Sequence, residues 1–175
     1  VLQRYKRSSG AYAQVANAKL RNGLFDEAVE TYKLGRRELK NKTLYAIELG
    51  NAYASRRLFK LSTEEYIRYV DAQPRQVAYI RRRVLQTIDE ESSQIVITVI
   101  QDHIEAKKTP HAAILQIYSD CLKKVEEYDR ALETLVELEN AKTGKERERT
   151  LGRDVYSFAE EMLNLRESTI AARAF

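Results

Sequence analysis

The stretch Leu49-Gly50-Asn51-Ala52-Tyr53 carries the pattern that decides the fold. Its small residue, Gly50, lies 34 positions after Ala16, and Tyr66 lies 34 positions after Tyr32. A period of this length indicates copies of one helical unit that stack on each other, because a single helix pair cannot bury its apolar face alone. Small residues let two helix backbones approach closely, and larger neighbours fill the remaining space. The spacing therefore predicts antiparallel helix pairs.

The second unit resembles the tetratricopeptide repeat, whose pattern is W-x2-L-G-x2-Y, then A-x3-F, then P. It has residues 49–53, followed by Ser62, Tyr66 and Pro74. The first and fourth units match the pattern at corresponding positions. These are Tyr12, Val15, Ala16, Ala28 and Tyr32 in the first unit, and Leu115, Tyr118, Ser119, Leu122, Ala131 and Leu135 in the fourth.

Two further units match less well. The third has Ile80, Val84, Val96 and Ile100, and it lacks a small residue where its two helices should approach each other. We therefore expect the third unit to be irregular. The fifth unit contains the residues Val155, Phe158, Ala159, Met162, Ala171 and Phe175. This set predicts a first helix and the beginning of its partner.

The resemblance implies an all-α, right-handed α-solenoid, a superhelix of helix-turn-helix repeats that forms one repeat domain over residues 1–175. We expect repeats at about 9–41, 43–75, 77–109 and 112–145, and a partial fifth repeat at 152–175. Breaks between helices are expected at Asn22-Gly23, at 41–43, at Pro74, at Thr109-Pro110 with Thr109 as an N-cap, and at 142–145. Because the chain begins at Val1, we expect it to be part of a longer protein.

Composition excludes few partners. The 30 basic and 26 acidic residues are interleaved and give a net charge of +4, which requires neither a nucleic acid nor a membrane as partner. No apolar run is long enough to predict membrane insertion. The single cysteine, Cys121, excludes an intrachain disulfide and leaves the compartment unknown: cytoplasmic, or periplasmic if a signal peptide was removed.

No residue pattern predicts a catalytic site, a cofactor site or a metal site. His103 lies on an apolar helix face and is interpreted as a core or boundary residue, and His111 as a residue at a helix start. Neither histidine has neighbours at ligand spacing. Cys121 has no base beside it and is interpreted as a small buried residue. We therefore predict that the chain is not an enzyme and takes no cofactor.

The resemblance also implies a binding surface, because in this family the first helix of each pair lines a concave groove. The positions that map to the groove are Ala13, Asn17, Ile47, Asn51, Arg81, Leu85, Gln116 and Asp120. The predicted partner-binding residues are Asn17, Asn51, Arg81, Leu85 and Gln116. The two asparagines offer both a donor and an acceptor to an extended peptide backbone. The run Arg81-Arg82-Arg83 spreads over about 200° of a helix and cannot form one flat basic patch.

The predicted function is a protein-protein interaction scaffold that binds a peptide or protein segment. Some family members clamp the terminal carboxylate of chaperone tails, but only Asn17 and Arg82 match that pattern here, and Glu48 would repel a carboxylate. Two alternatives stay open: a helical-repeat RNA-binding protein, although acidic residues interrupt a basic groove, and an accessory domain of a larger enzyme. A further repeat, a partner or self-association is expected to cover Met162, Leu163 and Phe175.

Overall fold

The computed structural model describes residues 7–107, 111–142 and 144–175. These residues form helices and connecting turns, with no strand among them, which confirms the all-α prediction. The helices are α1 (Ser9–Arg21), α2 (Phe25–Glu38), α3 (Ala46–Ser55), α4 (Phe59–Ala72), α5 (Val77–Thr87), α6 (Ser93–Glu105), α7 (Ala112–Lys124), α8 (Tyr128–Ala141), α9 (Gly144–Thr150), α10 (Arg153–Asn164) and α11 (Ser168–Ala174).

Consecutive helices pack as hairpins. The closest pairs are α1 with α2, α3 with α4, α7 with α8, and α10 with α11. They are the first, second, fourth and fifth units of the sequence pattern, so the tetratricopeptide-like fold is confirmed. The chain divides between Ala72 and Gln73 into two compact units. Unit 1 ends with α4 and unit 2 begins before α5, whereas the single repeat domain over 1–175 stays a prediction.

The turn within each hairpin uses the same backbone conformation. Gly23, which follows Asn22, the C-cap residue of α1, has a φ of +76°. The equivalent residues of the other hairpins, Arg57, Glu126 and Arg166, have φ values of 56°, 63° and 66°. A left-handed residue after the last helical turn lets backbone N–H groups return to the orphan carbonyls of the helix. The predicted break at Asn22-Gly23 is confirmed.

The two helices of the second hairpin approach each other at Gly50. A Cβ atom added there would lie 2.5 Å from a ring carbon of Tyr66, so only glycine leaves room for the ring. In the first hairpin Ala16 and Ala28 are both fully buried. Gly35 was not among the residues that the sequence pattern identified. A Cβ atom added there would lie 2.8 Å from the Tyr12 side chain and 2.9 Å from the Tyr45 ring. Unit 1 is thus built on small residues that face tyrosine rings.

The third unit departs from this arrangement, as expected. Helix α5 and helix α6 each pack on α7 more closely than on one another. Val96 occupies the position of Ala28 and is fully buried. Its larger side chain prevents the close approach that alanine permits, because two backbones cannot close over a branched residue.

The connections between hairpins agree only in part with the breaks that the sequence predicts. Pro74 begins a single 3₁₀ turn that leads into α5, as its fixed φ favours. Thr109, Pro110 and Thr143 lie outside the described residues, as do the last two residues of the predicted third repeat. The expected break at 142–145 was too long, because α9 begins at Gly144.

The fifth unit corrects one expectation. Met162 was predicted to need a cover from outside this unit. It lies on α10, which packs on α8 and α11, and it is fully buried. Leu163 and Phe175 remain 50% and 64% exposed, and the Phe175 ring contacts Tyr156 with centroids 5.5 Å apart. Self-association through these exposed residues stays a prediction.

Gly50→Ala should destabilise the protein, although a Gly→Ala change inside a helix normally stabilises by about 0.5–1 kcal/mol. The added methyl group would overlap the Tyr66 ring, and overpacking costs about 1–3 kcal/mol. The matched control is Gly10→Ala in α1, where the nearest atom to an added Cβ, the Ser8 hydroxyl oxygen, is 3.9 Å away. Urea unfolding of both variants checks this, and a Gly50→Ala variant as stable as Gly10→Ala would contradict it.

Ala28→Leu should also lower the free energy of unfolding, by about 1–3 kcal/mol, because Ala28 has no exposed surface into which a longer side chain could expand. Ala172→Leu on the exposed side of α11 is the control and should change stability little. Thermal melts of the two variants give the comparison. An unchanged melting temperature for Ala28→Leu would show that the repeat register is wrong.

Candidate functional site

Two asparagines of unit 1 make the same contact in successive hairpins. The Tyr32 hydroxyl donates to the Asn17 Oδ1 atom at 2.8 Å, and the Tyr66 hydroxyl donates to the Asn51 Oδ1 atom at 2.8 Å. In each case the asparagine is on the first helix and the tyrosine on the second. Since the carboxamide oxygen is held by the tyrosine, the –NH2 group at the other end of the amide is the end left for solvent. Within the described part of the chain, neither amide nitrogen has a partner.

This contact corrects the sequence analysis in one respect. Asn17 and Asn51 were expected to offer a free acceptor and a free donor, but the acceptor is already engaged by tyrosine. The donors are accessible, because Asn17 is exposed and Asn51 is partly exposed. The sequence contained a signal for the contact: Tyr32 and Tyr66 each follow an asparagine by 15 positions.

Burial keeps the tyrosine hydroxyl protonated. Tyr32 has no exposed surface, and burial, with a further contribution from the negative charge of Glu48, raises its pKa to about 12. The same two causes, together with Tyr12 and Tyr32, raise the pKa of Tyr45 to about 12. A neutral hydroxyl therefore donates to Asn17 at physiological pH, and the orientation of the amide is fixed.

An ion pair connects the two hairpins of unit 1. The Arg36 guanidinium on α2 donates to both carboxylate oxygens of Glu65 on α4, at 3.0 and 2.7 Å. The Arg36 Nε atom also donates to the carbonyl oxygen of Leu44 at 2.9 Å. Glu65 is buried, and Arg68 reaches it from the next turn at 3.1 Å. This bidentate pair was not predicted, because the two residues are 29 positions apart on different helices.

In unit 2 an acidic residue stands at the position that asparagine holds in both hairpins of unit 1. Asp120 occupies the position of Asn17 and Asn51, and Leu135 occupies that of the tyrosines. Asp120 is buried, and burial raises the pKa of its carboxyl group while Arg81 and Lys123 oppose the shift. Arg81 forms an ion pair with this carboxylate. The charge of Arg81, one of the predicted partner-binding residues, is therefore balanced within the unit.

The predicted residues of unit 2 lie in two neighbouring pockets that share Arg81. Gln116 lines a pocket of about 180 Å³ together with Asp120, Lys123 and Glu161. The Lys123 ammonium contacts Glu161 at 2.8 Å, so the charges here are largely paired. Leu85 lines a second pocket of about 430 Å³. The three consecutive arginines do not form one patch: Arg81 and Arg82 both line this second pocket, whereas Arg83 contacts Tyr79.

The other candidate residues behave as ordinary structural groups. Cys121 is fully buried, and burial raises the pKa of its thiol to about 12, which disfavours the nucleophilic thiolate. His103 lies partly buried on α6, and His111 is exposed before α7. The described residues hold no cluster of metal-ligating side chains. Among the helices described, none has the length and apolarity needed to cross a bilayer.

Comparisons with known proteins support no further conclusion about this chain. No family model matches the chain, and no curated protein matches it. Among solved structures it is similar to YrrB, described as a TPR protein with an unusual peptide-binding site, at 13% identity and a TM-score of 0.47. The match covers 99% of this chain and 86% of that chain. At this identity the likeness carries no functional conclusion.

The Tyr32 pKa gives a pH prediction. Because the folded-state value of about 12 exceeds the unfolded value of 10.0, its contribution to stability is complete below pH 10 and is lost as the pH rises towards 12. The loss is on the order of 2–3 kcal/mol. In urea unfolding, the free energy of unfolding of Tyr32→Phe should decline less between pH 9 and about 12 than that of the wild type. The exposed Tyr156→Phe serves as control, and equal declines for Tyr32→Phe and wild type would contradict the assignment.

Proposed function

We propose that this chain is a non-catalytic scaffold that binds a peptide or protein segment along the first helices of its hairpins. The observation that carries the proposal is the repeated Asn–Tyr contact of unit 1, in which Tyr32 and Tyr66 hold the oxygens of Asn17 and Asn51 and leave their –NH2 groups outward. Two identical donors, one per repeat, suit an extended backbone whose carbonyl groups recur along its length.

The preorganised amide explains why such a surface can bind without deep pockets. An asparagine that rotates freely loses side-chain entropy when it binds, whereas one already held by a buried tyrosine has lost that freedom on folding. The donors recognise backbone carbonyls, which every peptide has. Sequence selectivity must then come from other positions, and Arg81 does not supply it freely because Asp120 balances its charge.

The alternatives have less support in the described residues. An RNA-binding groove needs unpaired cations that neutralise phosphates. Arg36, Arg81 and Lys123 are each paired with a carboxylate. This leaves Arg82 and Lys124 as the cations near Arg81 without an ion pair among the described residues. A catalytic role needs a reactive group with access to a substrate, and Cys121 is buried. An accessory role beside an enzyme is compatible with a binding scaffold and does not alter the test.

Asn17→Ala combined with Asn51→Ala should weaken peptide binding roughly tenfold or more, because each change removes a donor worth about 0.5–1.5 kcal/mol. The probe is a displayed library of random peptides selected on the immobilised wild-type chain, followed by titration of the most enriched peptide. Asn140→Ala, an exposed asparagine on the second helix α8, is the matched control. If the double variant and the control bind equally well, the proposed surface is wrong.

A labelled oligouridylate tests the RNA alternative in the same format. The scaffold proposal predicts no saturable binding at physiological salt. Binding that tightens steeply as salt is lowered, with no peptide enriched by the library, would favour the RNA-binding function instead.

A further inference from the structure

The pocket beside Leu85 is a positively charged open surface in unit 2. It has a volume of about 430 Å³ and lies between helix α5 and the C-terminal end of α7, which pack against each other. Its lining residues are Ala78, Arg81, Arg82, Leu85, Gln86 and Lys124. The lining holds three cations and no carboxylate.

The three cations differ in how far they are already neutralised. Arg81 is paired with Asp120, which lies beyond the pocket in the smaller neighbouring one. Arg82 is exposed and makes no ion pair with any part of the chain that the structure describes. Lys124 donates to the carbonyl oxygen of Leu85 at 2.5 Å, a bond that leaves its charge unbalanced. Two positive charges at the rim are therefore available to a partner.

The position of Lys124 is set by the fold. Its ammonium reaches from α7 to the backbone of α5, across 39 positions of sequence, and so sits at the pocket mouth. The other two N–H groups of the ammonium can donate to a carboxylate. Below the rim, the pocket wall is formed by Leu85, Ala78 and the methylene stems of the arginines. An apolar side chain fits this wall, and carboxylates beside it fit the rim.

We propose that this pocket binds an acidic segment of another protein, in which one aliphatic side chain is flanked by Asp or Glu residues. The apolar wall favours a peptide over a phosphate backbone, since a nucleic acid would bring charge but no aliphatic anchor. The inference rests on the proposed scaffold function and names the chemistry of the segment that unit 2 would recognise.

The test uses the same random peptide library on two forms of the full chain: wild type, and the double variant Arg82→Glu with Lys124→Gln. Wild type should enrich peptides in which acidic residues surround an aliphatic one. The double variant should lose the acidic enrichment, and its dissociation constant for the most enriched wild-type peptide should rise about tenfold. Leu85→Ala should weaken the same peptide without changing the acidic preference.

The control is Lys60→Glu, a charge reversal at an exposed residue of α4, which should leave the affinity unchanged. Circular dichroism melts of every variant establish that each is folded. Peptides that depend on Asn17 and Asn51 but carry no acidic bias would overturn this inference and leave the scaffold function standing. If no peptide is enriched, both fail. Oligouridylate binding that Arg82→Glu abolishes would assign the pocket to RNA and overturn the inference as well.

Discussion

The contact between Gly50 and the Tyr66 ring is the constraint on which the second hairpin depends. The ring occupies the space that any side chain at position 50 would need, so the two helices approach at one register only. The same ring ends in the hydroxyl that holds Asn51. One residue thus fills the interior of the hairpin and orients an amide on its surface. In the first hairpin Ala16 and Tyr32 are buried in one core cluster, and the Tyr32 hydroxyl holds Asn17 in the same way. Packing and surface chemistry are therefore coupled in unit 1, and an asparagine amide cannot reorient without loss of a hydrogen bond to a buried tyrosine.

In unit 2 the corresponding positions of the α7–α8 hairpin hold different side chains. Leu135 fills the interior where a tyrosine would stand and has no hydroxyl to offer. Its partner position carries Asp120, whose buried carboxylate pairs with Arg81 on α5, outside the hairpin, and with Lys123 one turn later on α7 itself. A buried carboxylate without such partners would cost several kcal/mol. The ion pair in turn fixes where α5 lies relative to α7, which the loosely associated helices α5 and α6 cannot do by themselves. The replacement of one tyrosine by leucine thus changes a local amide contact into a link between helices.

The sequence predicted what depends on period and residue size, and missed what depends on pairs of polar side chains. Gly50 was identified because it lies 34 positions after Ala16, and the irregular Val96 because it lies two such periods after Ala28. The pairs Arg36–Glu65 and Arg81–Asp120 join residues that lie 29 and 39 positions apart on different helices, and no periodicity marks them. For that reason the sequence did not show that Asp120 balances the charge of Arg81. Met162 was expected to lack a cover, since the sequence does not show how much of α10 its neighbours enclose.

Buried ion pairs in each unit add a specificity that apolar stripes alone lack. Helix faces of similar hydrophobicity can slide past each other by one turn at low cost, whereas a charged group moved off its partner remains desolvated and unpaired. In unit 1 the bidentate Arg36–Glu65 pair sets the position of α2 relative to α4. In unit 2 the buried Lys142 binds Glu139 at 2.7 Å and Asp154 at 2.6 Å, so the end of α8 is tied to the start of α10. The backbone N–H groups of Gly152 and Asp154 also donate to Glu139. A solenoid-type protein has few long-range contacts to fix its register, and these pairs supply them between successive hairpins within each unit. The spacing of Asn17 and Asn51, the binding groups proposed above, follows from the register that the Arg36–Glu65 pair sets in unit 1.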